Sequence, residues 1–267
     1  MDAAPGRRRL ILAAALIGFA DPAARAERPA VPASLVNGAS RLAMLAERMA
    51  KLHAQIGREV LVPRSRRGLG EASAAFERGL GEMTAAAHTA ELRENYRLLR
   101  LLWDEYRSAT RQPPTPESGR QLADRAEEVA WIAAKGARLF FDQARSRAAE
   151  LVMSAGTARA AGQRLGRIHL QRGWALAANA APREVKRAEA EIFLALAQLN
   201  SAAETTEEAA ASLRMTETQV AFLRQAVERL GQGKERSLQL EHIAKSADHI
   251  AEAMDTVAKS YEDVGGG

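Results

Sequence analysis

The sequence predicts an all-α protein made of two tandem up-and-down four-helix bundles, and three observations carry that prediction. Ala, Leu, Glu, Arg and Gln are abundant and aromatic residues make up only 4% of the 267 residues, a balance that favours helix. No stretch alternates polar and apolar residues with the period of a strand. Finally, two segments about 116 residues apart are similar. Leu35 to Leu52 matches Leu151 to Ile168, with Leu35/Leu151, Val36/Val152, Ala39/Ala155 and Arg48/Arg164 identical and Ser40/Gly156, Glu47/Gln163, Met49/Leu165 and Lys51/Arg167 like for like. Downstream, Phe76, Leu80 and Met83 fall opposite Ile192, Leu196 and Leu199, and after a shift of about five residues Val129, Ala133 and Phe140 fall opposite Ile250, Met254 and Tyr261. Self-similarity of this kind marks a duplicated unit.

The chain opens with a targeting pattern. Arg7, Arg8 and Arg9 form a charged region, Leu10 to Ala20 is an apolar run, and Ala24-Arg25-Ala26 supplies a small-x-small cleavage signal. This predicts a signal peptide over 1–26, cleavage after Ala26 and a mature protein in the periplasm, with an uncleaved anchor as the competing reading; the Arg7-Arg8 pair leaves the twin-arginine route open beside the general one. No later stretch reaches the roughly 18 apolar residues of a membrane helix. Proline and glycine then divide the rest. Pro29 and Pro32 precede the first helix, Pro63 to Gly70 reads as a basic turn, and Pro113-Pro114 and Ala181-Pro182 interrupt the remainder of the chain. Thr89 can cap a helix, Thr115 caps one with Pro116 in its first position, and Thr205 with Glu208 forms a capping box. The expected helices are 34–58, 70–87, 90–110 and 116–148, then 149–179, 183–203, 206–231 and 234–262. The domains are accordingly 27–148 for the first copy and 149–267 for the second. No proline stands between 117 and 179, so the two bundles are expected to be joined end to end by a continuous long helix, with Arg145-Ser146-Arg147 as its soft point.

Several kinds of chemistry are excluded. The chain has no cysteine, hence no disulfide and no thiolate. Its formal charge of +5 shrinks once a signal carrying four arginines and two aspartates is removed, which speaks against nucleic acid as a partner. Among the five histidines only His242 and His249 share a helix face, two turns apart and too far for one metal ion to bridge by themselves. The adjacent pairs Glu127-Glu128 and Glu207-Glu208 point to different faces. Tyr96, Trp103, Trp131, Trp174 and Phe140-Phe141 sit at helical spacing and read as bundle core. There is no nucleophile motif, phosphate-binding loop or dinucleotide fingerprint, so the expectation is no enzyme and no cofactor.

The repeated segment resembles the opening of the PilJ-type sensory module, the extracytoplasmic domain of type IV pilus methyl-accepting transducers, which is related to nitrate and nitrite sensors of the NarX kind. That pattern runs roughly Ile-Asn-x-Ala-Gly-x-x-Arg-Met-Leu-Ser-Gln-Arg on the first helix of a four-helix bundle. In the first copy Val36-Asn37, Ala39, Met44-Leu45 and Arg48 fit, with Ser40 at the glycine and Ala43 at the first arginine. In the second, Ala155-Gly156, Arg159 and Gln163-Arg164 fit, without the Asn or the Met-Leu. The resemblance implies a sensory function, a homodimer through the first helices, and an arginine that grips a small anion such as nitrate or nitrite against its symmetry mate. That role falls on Arg159 in the second copy and on nothing in the first.

The residues around Arg159 can also be read directly. Its helical neighbours are Ala155, Gly156, Gly162, Gln163 and Gly166, nearly all small. Glycines inside a helix cost about 1 kcal/mol each against alanine, so close approach of another helix is expected to offset them. A guanidinium in such a seam needs an anion or carboxylate, and Arg159, Gln163 and Gly156 are the candidate binding residues. Around Ala43 the matching residues are Ala39, Ser40, Ala46, Glu47 and Ala50, which pack closely but set a carboxylate where an anion would sit. Arg159 facing solvent, like most arginines, is the competing reading; Arg41 and Arg48 read as a solvated stripe. The expectation is an exported ligand-binding helical protein, reporting through a membrane-bound sensor or transducer because no output domain follows Gly267. The alternative is a structural or adaptor protein of the envelope with no small ligand.

Overall fold

Buried residues run nearly all the way round the first helix, α1 (Ala33–Gly57), from Val36 to Gln55. A helix buried on every face must be a central one. α1 lies against α2 (Val62–Ala86) and α4 (Pro116–Ala144), and α3 (Ala90–Thr110) closes the first bundle against α4. The second copy repeats the plan: α5 (Arg147–Gln171) is its central helix, flanked by α6 (Pro182–Asn200) and α8 (Arg236–Val264), with α7 (Glu207–Gly231) on α8. The structure, a computed structural model, describes residues 31–233 and 236–264, and over these the protein is all helical. The segment read as a signal peptide lies outside them. Among the described residues no helix is long and apolar enough to cross a membrane.

The outer helices bury one stripe each. On α3 these are Leu92, Tyr96, Leu99, Trp103 and Tyr106, three or four residues apart, and Trp103 stacks on Phe76 with ring centroids 4.2 Å apart. Trp131 departs from the expected core: it is 65% exposed, because the buried stripe of α4 passes through Val129, Ala130, Ile132 and Ala133 on either side of it.

Caps at Thr89 and Thr115 form as expected, the latter with Ser118 returning the bond. The box expected at Thr205 moves one residue: Thr206 caps α7 through Ala209, while the Thr205 hydroxyl is held by the Leu199 carbonyl and the Tyr261 hydroxyl, each at 2.7 Å. Three boundaries also move. Pro63 to Gly70 is helix, with Pro63 in the first turn of α2, where its missing N–H is harmless; the chain reverses just before, at Glu59 and Leu61, with φ of 59° and 50°. α5 stops at Gln171, after which Gly173 takes φ 69° and Trp174 folds back so closely over Gly57 and Gly119 that neither could carry a Cβ.

The third change alters the architecture. The continuous helix expected between the copies does not form. Arg145 adopts a left-handed conformation (φ 46°, ψ 30°) that ends α4, and Ser146 caps α5 by accepting from the Ala149 N–H at 3.1 Å. The absence of proline permitted a helix there without requiring one. α5 therefore turns back and packs beside α1, so the copies lie side by side and not end to end.

Candidate functional site

α1 and α5 run parallel and close to the register of the repeat, with one matched pair, Ser40 and Gly156, in direct contact. Ser40 faces Gly156, Lys51 packs against Gly166, and the Arg58 guanidinium reaches the carbonyls of Leu170 and Arg172, each at 2.9 Å. A Cβ built on Gly156 would lie 2.7 Å from Ser40 Cβ, one on Gly162 2.5 Å from Ile250 Cγ2, and one on Gly166 2.6 Å from Ala247 Cβ. The glycines thus admit α1 on one side and α8 on the other. The seam expected between two chains forms between the two copies of one chain.

Charges close the seam. Glu47 is 1% exposed and accepts from Arg164 Nε at 3.0 Å and from Arg167 Nε at 2.6 Å; Arg167 is equally buried. Burial alone would raise the Glu47 carboxyl, but Arg167 and Arg164 outweigh it and hold it below the usual carboxylate range. Two further pairs are related by the repeat. Lys51 donates to Asp248 at 2.6 Å, and Arg167, its counterpart, donates to Glu127 at 2.9 Å. Glu127 matches Asp248 at the spacing that aligns Val129 with Ile250. Burial lowers the Lys51 ammonium, with Asp248 opposing; burial would raise Asp248, but Lys51 and Arg48 carry it below its ordinary value.

The three residues singled out from the sequence are all in this seam, and each is already engaged. Arg159 is fully buried. It pairs through Nη1 with Asp255 of α8 and donates from Nη2 to Asn37 Oδ1 at 2.9 Å and to Ser40 Oγ at 3.0 Å. Burial lowers its guanidinium to about 10, against the pull of Asp255, so it stays a cation at neutral pH. Gln163 donates to the Ala247 carbonyl at 2.8 Å and to Asp248 at 3.3 Å. Gly156 is the contact point for Ser40. Arg41, read as solvated, joins Arg159 on Asp255.

On the opposite side of the seam, Ala43 stands where Arg159 stands and Ala134 where Asp255 stands. There the space is unfilled. A cavity of about 560 Å3 opens between α4 and α6, floored by Ala43, Ala134, Met153 and Gly156 and rimmed by Trp131, Glu127, Glu128, Glu184, Glu191, Arg164 and Arg187. The sequence pattern marks Glu47 as a carboxylate in the first copy's seam, but it does not single out Asp255, the arginines that Glu47 pairs with, or this cavity. Continuing the alignment past residue 52 strengthens the repeat, since His53, Gln55 and Gly57 match His169, Gln171 and Gly173. The later, longer offset is enough to pair Glu127 with Asp248.

The fold and seam define a class: a tandem helical-bundle protein whose two central helices pair about an approximate two-fold axis. No family model, curated protein or solved structure matches this chain.

Proposed function

We propose that this chain is an exported, non-enzymatic ligand-binding module of the PilJ-like sensory kind, in which two copies on one polypeptide reproduce the paired first helices that such modules form between chains. The observation that carries the reading is that parallel α1 and α5 pack close to the register of the repeat, with Ser40 directly on its match Gly156. The module would pass its state to a membrane-bound sensor or transducer.

An oxyanion such as nitrate or nitrite at Arg159 has to compete with a carboxylate already in place. Asp255 accepts from both Arg41 and Arg159, so the buried guanidinium already has its anion. Ligand binding by the wild-type chain is therefore assigned to the open side of the seam. Thermal melting against a panel of small anions, neutral compounds and amines tests the reading. A ligand at a hundred times its Kd stabilises by about 2.7 kcal/mol, a shift readily measured. A flat response to the whole panel would support the second reading, an envelope adaptor, which is favoured by the cluster of buried Glu47 and Arg167 with half-buried Arg164 fastening both copies into one body.

A further inference from the structure

The two sides of the seam provide an internal comparison. On one side Arg159 and Asp255 occupy the interior; on the other Ala43 and Ala134 leave about 560 Å3, a volume suited to a small molecule. The floor is mostly apolar, with Ser40 and the arginine-paired Glu47 as its polar residues. The one large aromatic at the rim, Trp131, is 65% exposed, an unusual position for the residue type that most gains from burial.

Charge decides what fits. Arg164 is engaged by Glu47 and Glu191, and Arg187 by Glu191. Glu127 is shared with Arg167 but remains half-exposed. Glu128 and Glu184 have no ion-pair partner among the described residues. Glu127 and Glu128 lie on different faces of α4, but they precede Trp131 by four and three residues and so flank the indole on either side, and all three line the cavity. The rim is therefore negative beside an open aromatic face, and the arginine that would attract an anion is replaced by Ala43. An anion is repelled here. A cation is drawn both by the carboxylates and by the face of the indole.

We propose, resting on the ligand-binding reading above, that this cavity binds a small organic cation: an ammonium group on an aromatic or short alkyl body. The ammonium lies against Trp131, Glu127 and Glu128, and the body covers Ala43 and Ala134.

Titration calorimetry on the full chain tests this with 2-phenylethylammonium, neutral 2-phenylethanol and anionic phenylacetate as probes. The ammonium should bind once per chain, and the other two should not bind measurably. Trp131→Ala and Glu128→Gln should each weaken binding by about tenfold. The paired change Ala43→Arg/Ala134→Asp, which copies the filled side into the open one, should abolish it. Should that pair fail to fold, Trp131→Ala still decides, because an indole so exposed contributes little to the core. Binding of the alcohol as tightly as the amine, or an amine affinity indifferent to Trp131→Ala, overturns the proposal. Binding of phenylacetate alone overturns it while leaving the ligand-binding reading standing; no binding by any probe, together with a flat melting panel, removes both.

Discussion

Ser40 occupies the space that a side chain on Gly156 would need, and these two residues hold the same position in the two copies. One position of an approximate two-fold contact thus carries a hydroxyl on one helix and nothing on the other. The glycine lets α1 and α5 approach, and the Ser40 hydroxyl accepts from Arg159 at 3.0 Å. Close packing and charge burial are therefore linked through a single repeat position.

The glycines of α5 should not tolerate methyl groups. Gly166→Ala sets a Cβ 2.6 Å from Ala247 Cβ, in a helix with no room to shift. The expected loss is about 1–3 kcal/mol, from overpacking. Gly70→Ala on α2 meets nothing within 4 Å and should stabilise by about 0.5–1 kcal/mol through helix propensity. Urea denaturation of the two variants should give midpoints displaced in opposite directions.

Glu47→Gln should be the most damaging single charge removal in the seam. It leaves Arg167, 1% exposed, with only the half-exposed Glu127 as counter-ion. Stranding a buried charge costs about 3–5 kcal/mol. Arg159→Met keeps volume and leaves Asp255 with Arg41 and Lys259 still beside it, so its cost should be smaller. Equal midpoints for the two variants would contradict the stated order.

Stability should fall with acid in two stages. Burial lowers the His169 imidazole to about 4 from its ordinary 6.5, with Arg172 adding to the effect, and burial lowers His53 as well. Between those pH values the unfolded chain binds the proton that the folded chain refuses, so stability declines as pH drops through the window. For His169 the effect reaches on the order of 3 kcal/mol at its lower end. Glu47 and Asp248 act lower. Their folded pKa values are depressed, so their contribution is present above the unfolded carboxylate range and is lost as pH falls through the folded values. His169→Gln should shrink the upper stage to the part that His53 contributes and leave the lower one, as read from denaturation midpoints at a series of pH values.

Arg145→Gly should stabilise the chain. A non-glycine residue in the left-handed region costs about 1–2 kcal/mol, partly offset by the freedom glycine has when unfolded. The gain should be on the order of 0.5 kcal/mol, and Arg145→Val should lose stability instead. Thermal melts of both variants check the sign.

The sequence revealed the helices and the duplication but not how the copies meet. Periodicity and caps located α3 and α7 to within a residue or so, because each buries one stripe and starts at a threonine. The repeat offset identified Ser40 with Gly156, and the small residues around Arg159 did mark a close helix contact. Its partner is not legible, because nothing local distinguishes a seam with another chain from a seam with an earlier part of the same chain. The link at Arg145 was illegible for a related reason: a left-handed arginine is imposed by the packing of α5 on α1, and no glycine or proline announces it. Spacing alone places Trp131 in the core, and spacing reports a helix face without saying whether anything covers it.

Carrying both copies on one polypeptide has a consequence for how the pairing of α1 with α5 behaves under dilution. A seam between separate chains dissolves once protein concentration drops below the dimer constant. Here the partners are held at a fixed effective concentration, of millimolar order for a short tether. The pairing therefore persists however scarce the protein is. Freed from exact symmetry, a mutation also changes only one side of the axis, so one side could become a sealed ion pair while the other stayed open.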